Sequence, residues 1–410
     1  MDTSSSPPLV FVVGGTGAQG MPVIRGLVED GAYAVRFLTR DATSRRSQEL
    51  LKLPNVTAVE GTFASEQDLR QGLRGATYAF INIDGFNAGE KTETFWAMRS
   101  YELALEEGIE FFVYGNLDFV YKKSGYDPAL RCGHYDGKGR VGEWILQQTR
   151  APPPPGNKRR RMGAALFTTG PYMSMAVAAG TPMSPTVEDG VVTWRVPLGR
   201  GAVAHVDLDD CGHYVRWLLD HPARADGLDL EVAVDLVGYD ELARAFTQVT
   251  GRPARYVDTD LADYWAGAGP LGRGTAAAGY NADPADAATM TMRDNFTGFW
   301  NMWRRSGGGG EGGEGGHVIR RDWALLDEIH PGRVRSALEW FQKEEDRSAA
   351  LGLPDLWTRV NNLRPVLKVA EDGFKTSGDV YLRLELRTSQ CAGCRMEKDI
   401  GSNPSILETG

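Results

Sequence analysis

The chain has 410 residues, 42% of them apolar and 24% charged, with a formal net charge of −9. That length can bury a large core in one big or two medium domains, and the composition is that of an ordinary globular protein. The acidic balance argues against a nucleic-acid scaffold, and the start, "MDTSSSPP" before the strand-length run "LVFVV", argues against a secretory signal or membrane span.

The first 170 residues alternate short β-branched runs with longer amphipathic stretches, the pattern of βαβ units on a parallel sheet. Strands are expected at Leu9–Val13, Val35–Leu38, Val56–Glu60, Tyr78–Ile83, Phe111–Tyr114 and Ala164–Thr168, with helices at Gln67–Leu73 and Glu90–Gly108 between them. "APPPPGNKRRRMG" (Ala151–Gly163) reads as a solvated surface insertion, because proline cannot continue the preceding helix; nuclear import or anionic docking is its other reading. From Pro171 the rhythm changes. "VEDGVVTWRVPL" is expected as a hairpin around Asp-Gly, and "VDLDDCGHYVRWLLDHP" as a helix capped by Asp207 or Asp209. "SGGGGEGGEGG" (Ser306–Gly316) is a loop by composition, and "RRDWALLDEIHPGRVRSALEWFQKEE" returns to helical periodicity. The expected architecture is α/β: a Rossmann doubly wound parallel sheet over 1–170, a smaller C-terminal α+β lobe over 171–346 with some segments returning to the sheet, and an unassigned tail over 347–410. Four cysteines (Cys132, Cys211, Cys391, Cys394) are too scattered for a disulfide framework. A reduced cytoplasmic setting is expected, with the nucleus as the alternative, and the lone Cys391-x-x-Cys394 pair is not expected to hold a metal.

The most specific feature is "VFVVGGTGAQGMPVIRGLVEDG". An apolar strand ends at Gly14, a helix begins near Ala18, and Gly14, Gly17 and Gly20 make G-x-x-G-x-x-G. Small residues permit the tight turn, the close approach of a pyrophosphate and the packing of helix on strand, while the helix N-terminus offers unpaired N–H groups to phosphate. Gly14, Thr16, Gly17, Ala18, Gln19 and Gly20 are therefore expected at the cofactor. At the end of the second strand, "FLTRDATSRRSQ" places Arg40, with Arg45 and Arg46 following. An arginine there suits the 2′-phosphate of NADP, so NADP(H) is favoured over NAD(H). Asn82, Ile83 and Asp84 end the fourth strand and are expected at the pyrophosphate or ribose.

The chemistry turns on "RCGHYDGKG". A reductase triad of the short-chain dehydrogenase type needs a serine at the end of the fifth strand and Y-x-x-x-K on the next helix. Here the strand ends "VYGNLDF" with Asn116, and Tyr135 and Lys138 are spaced Y-x-x-K. With the glycine turn, Arg40 and "HYDGKG" together, the chain resembles the NmrA-like family from about Leu9 to Glu345. The resemblance implies an NADP(H)-binding Rossmann domain and a smaller lobe with a cleft between them. It also implies Lys138 near the nicotinamide ribose and substrate, while Tyr135 occupies a position that relatives fill with phenylalanine and is not expected to give the proton. His134 stands as a second catalytic candidate. Where the family often has Gly-Asp after the third strand, this chain has Gly61-Thr62-Phe63, so Thr62 and Phe63 take that place beside the adenine. Asn116 and Tyr172 complete the expected cofactor contacts. The aromatic stripe "MTMRDNFTGFWNMWRR" reads first as core and second as a substrate wall.

The expected activity is NADPH-dependent reduction of a small aromatic or apolar metabolite in fungal secondary metabolism. The alternative is a non-catalytic NADP(H) sensor that binds a partner protein. A small-molecule substrate and a homodimer are compatible with this reading; nucleic acid and membrane partners are not expected.

Overall fold

In the computed structural model the described residues are 6–150, 161–266, 274–279, 281–307 and 318–368, all within one compact unit. Most of the proline-basic stretch, most of the glycine tract, and Cys391 and Cys394 lie outside them.

Strands β1 (Leu9–Val13), β2 (Ala34–Thr39) and β3 (Val56–Glu60) alternate with helices α1 (Gly20–Val28), α2 (Arg45–Leu51) and α3 (Glu66–Leu73). Then come β4 (Tyr78–Ile81), the single turn α4 (Gly85–Ala88), α5 (Glu90–Glu107), β5 (Phe111–Leu117), the short α6 (Val120–Lys123), α7 (Gly133–Arg150) and β6 (Gly163–Thr169). All six strands are parallel, in the order β6-β5-β4-β1-β2-β3, which is the doubly wound arrangement expected. Strand interiors such as Val10–Val12 and Phe111–Tyr114 are nearly devoid of exposure, as strands covered on both faces must be.

Beyond β6 the chain forms the expected hairpin. β7 (Thr186–Glu188) and β8 (Val191–Val196) pair antiparallel, with Asp189 and Gly190 both at positive φ, as a two-residue turn between right-twisted strands requires. Next are β9 (Val203–His205), α8 (Cys211–Asp220), α9 (Pro222–Ala225), β10 (Asp229–Glu231), β11 (Asp235–Val237), α10 (Tyr239–Thr250), β12 (Ala254–Asp258) and α11 (Leu261–Ala266). They are followed by α12 (Met292–Arg304), α13 (Trp323–Ile329), α14 (Ala337–Leu351) and α15 (Leu356–Asn361). β10 returns to pair with β6 as a seventh parallel strand, and α8 lies on α1 where Gly26 and Gly212 meet. Residues past 347 belong in part to the body, since Leu356 and Val360 are buried in the core of the second lobe.

Two expectations change. The first helix starts at Gly20 rather than Ala18, because Gly14 to Gly17 close their own turn through Gly17 N–H donating to Gly14 O at 2.9 Å. Neither Asp207 nor Asp209 caps α8; both carboxylates instead hold Lys343 of α14, at 2.6 and 2.9 Å. Ion pairs from α14 to the turn that precedes α8 hold both carboxylates.

Candidate functional site

The carboxyl ends of β1, β4 and β5 meet at one edge, where a doubly wound sheet opens a crevice. The glycine turn forms its floor. A side chain on Gly14, at φ 84°, would place its first carbon 2.3 Å from Asn82 O, and one on Gly20 would sit 2.1 Å from Gly14 O. Both positions are closed to anything but glycine, so the backbone itself forms the cradle. This is the geometry a pyrophosphate needs.

Lys138 reaches this edge from α7, and each residue of "HYDGKG" has a part in bringing it there. Asp136, fully buried, accepts from Cys132 N (2.8 Å), Tyr121 N (3.1 Å) and Arg131 Nη1 (2.6 Å), which orders the start of the helix. Gly137 and Gly139 let α7 lie close to its neighbours: a side-chain carbon there would stand 3.1 Å from Glu90 Cγ and 2.4 Å from Phe119 Cβ. Tyr135 packs in the apolar core against Phe299 and Trp303. His134 Nδ1 donates to Asn295 Oδ1 at 3.0 Å.

The Lys138 ammonium is heavily engaged. It is 2.8 Å from Glu93 Oε1 on α5 and donates to Ile83 O (2.8 Å), Asn82 Oδ1 (3.2 Å) and Gly115 O (3.3 Å). Glu93 is wholly buried and the lysine side chain is 10% exposed. Burial pushes the Glu93 carboxyl above its ordinary range, against the pull of Lys138. From Lys138 a hydrogen-bond chain continues: Asn82 Nδ2 donates to Gln19 Oε1 at 2.6 Å, and Gln19 Nε2 donates to Thr169 Oγ1 at 3.3 Å. Lysine, glycine turn and sixth strand are thus linked through side chains.

The other expected residues divide. Arg40 stands exposed just past β2, while Arg45 turns away to pair with Glu49 at 2.6 Å. Gly61 N–H donates to Thr39 O at 2.9 Å, which sets Thr62 and Phe63 beside the same strand end. Asp84 caps α4 by accepting from Phe86 N (3.0 Å) and lies within electrostatic reach of Tyr172, whose hydroxyl burial pushes well above its ordinary value. Asn116 does not join them. Its amide donates to Thr168 Oγ1 at 2.8 Å, and its oxygen lies against Gly142 of α7, away from the crevice.

Sequence reasoning missed Glu93 and Asn295. Glu93 sits on the buried stripe of α5 with Ala97, Ser100, Tyr101 and Ala104, and a lone acid on such a stripe is the signal that could have found it. Asn295 lies in the aromatic stripe of α12, which is mostly core as first expected. Its start is not. Phe86 and Phe296 lie nearly parallel with centroids 6.0 Å apart, and the His134 ring is 4.7 Å from Phe86. Phe86 and His134, both half-buried and backed by Phe296, form the outer face of an aromatic wall one helical turn from Lys138. Among the described residues no group of three side chains could hold a metal ion, and no helix is long and apolar enough to cross a membrane.

The NmrA-like family model matches residues 7–264 of this chain. An NmrA-like family domain-containing oxidoreductase of Aspergillus japonicus is 27% identical over 258 residues, spanning 61% of this chain and 75% of that protein. Among solved structures, NmrA, a negative transcriptional regulator in complex with NADP, superposes with a TM-score of 0.62 at 18% identity, over 86% of this chain and all of that one. An NADPH-dependent quinone oxidoreductase from Escherichia coli, complexed with NADPH, gives 0.58 at 16% identity, over 81% and 98% of the two chains.

The ion pair predicts a specific pattern in urea unfolding. Glu93→Leu strands a buried ammonium and should lose about 3–5 kcal/mol. Adding Lys138→Met should recover most of that loss; additive losses would contradict the pairing. His134 supplies a pH test. Burial lowers its pKa from 6.5 to about 4. The unfolded chain therefore binds the extra proton first, so its contribution to stability is complete above pH 6.5 and is lost as pH falls toward 4. The His134 ring should titrate near 4 by NMR, and a midpoint at 6.5 would show the ring to be open to water.

Proposed function

We propose, from the premise that the chain belongs to the NmrA-like family, that it binds NADP(H) in this crevice and reduces a small, electron-poor aromatic acceptor, a quinone or an iminium ion. In this reading the pyrophosphate lies on the turn where Gly14 and Gly20 leave no room for side chains, the exposed Arg40 past β2 takes the 2′-phosphate, and Thr62 and Phe63 take the adenine. The bound reduced nicotinamide supplies the hydride. The half-buried rings of Phe86 and His134, backed by Phe296, orient a flat acceptor beside it and exclude water.

The observation that carries this reading is where the polar protons point. Lys138 gives its three N–H groups to Ile83 O, Asn82 Oδ1 and Gly115 O, with the Glu93 carboxylate beside its charge, the Nδ1–H of His134 is given to Asn295, and Tyr135 lies in the apolar core. None of these groups presents a labile proton to the crevice. Simple carbonyls need such a proton as the alkoxide forms. An iminium ion needs none, because hydride addition leaves a neutral amine, and a quinone gives a phenolate that water can protonate. Lys138 then serves by charge and position, holding the Asn82–Ile83 turn under the cofactor.

A second reading has support in the same spent donors and in the NADP-bound NmrA structure: a non-catalytic NADP(H) sensor acting through a partner protein. The secondary-metabolite setting expected from the sequence remains part of the first reading only. NADPH oxidation measured against quinones, preformed iminium ions, ketones and aldehydes separates the two. Turnover is expected with the first two classes and not with the others. Tight NADPH binding with no turnover on any acceptor would favour the sensor.

A further inference from the structure

Residues 363–368 leave the second lobe and run onto the glycine turn. Leu363 packs on the second-lobe core. Arg364 O accepts from Ala179 N–H at 3.1 Å, and Pro365 forms a parallel bridge with Ala179, in the segment that follows Tyr172. Val366 O accepts from Arg46 Nη2 at 3.4 Å, and Lys368 Nζ donates to Thr16 Oγ1 at 3.0 Å. From Arg364 to Lys368 an extended chain spans about 13 Å. The strap therefore links the Ala179 segment to α2 and to Thr16 of the glycine turn.

We propose that this segment is a clasp over the cofactor, and that Lys368 and Arg46 bind its phosphates together with the glycine turn. Arg46 comes from α2 and is 8% exposed, although arginines on short surface helices ordinarily extend into water. Its guanidinium instead donates to Thr16 O (3.2 Å) and to the strap. Two cations from distant parts of the chain thus converge on one residue, Thr16, in the turn already shaped for phosphate. A strap that only blocked the crevice would need no cation at that point. One that closes over a polyanion gains charge-assisted hydrogen bonds from it. The family model ends at residue 264, so the clasp lies outside the matched region.

The inference rests on the NADP(H) reading above, and its test separates the two. NADPH is bound to the full-length protein and chased with excess NADP⁺, while loss of energy transfer from tryptophan to NADPH is followed by stopped flow. Lys368→Ala should release NADPH about tenfold faster, as expected for one charge-assisted hydrogen bond. Lys368→Glu should release it faster still, and Lys368→Arg should stay near the wild-type rate. Trypsin gives a second readout: Arg364 precedes proline and resists cleavage, so the strap is cut after Lys368, and NADPH should slow that cut several-fold. Unchanged release in both Lys368→Ala and Lys368→Glu would overturn the clasp while leaving NADPH binding intact. Slower release or tighter binding in Lys368→Ala would overturn it in favour of a plug that the cofactor must displace. A wild-type protein that fails to bind NADPH would remove the cofactor reading, and the clasp with it.

Discussion

Glu93 and Lys138 form an ion pair almost closed to water, and the crevice is arranged around it. Two charges removed from solvent add little to stability overall, because desolvation offsets much of their attraction. What such a pair does is restrict geometry: each partner is costly to leave alone, so α5, α7 and the ends of β4 and β5 are held in a single relation. The Lys138 bonds to Ile83 O and Gly115 O carry that constraint to the backbone of the sheet edge. Through Asn82 and Gln19 it reaches the helix that follows the glycine turn.

The glycines of the signature motif serve the same constraint. Gly137 and Gly139 bring α7 close enough for a lysine to reach strand ends that a bulkier helix would hold away. Asp136 fixes where that helix begins, and Tyr135 anchors it in the second lobe. A motif that looked like a displaced catalytic tyrosine and lysine is therefore a packing device that delivers one buried cation. The aromatic wall of Phe86, His134 and Phe296 follows from it, because His134 is placed by the same helix start.

Much of the architecture was legible from residue pattern. The central strands β1, β4, β5 and β6 are near-continuous apolar runs, and their burial on both faces leaves little choice of state. The Asp-Gly hairpin was equally plain. Short strands such as β9, β10 and β11 were not, since three residues carry no period and their pairing is decided by distant partners. The same holds for side chains. The crowded glycines of the first turn could be read from local spacing, whereas Asn116 turns into the sheet and Asp207 and Asp209 answer to Lys343, far along the chain. Lys368 reaching Thr16 has no sequence signal at all. Local rules found the tight glycine turn; only the tertiary structure showed that Arg46 and Lys368 meet it at Thr16.

The claim that the crevice moves hydride without a protein proton is tested most directly by single-turnover transfer from bound NADPH to a preformed iminium ion. The rate should be flat from pH 6 to 9 and unchanged in heavy water. A rate that falls with one ionisation in that range, together with a clear solvent isotope effect, would mean that Lys138 or a neighbour gives up a proton in the step.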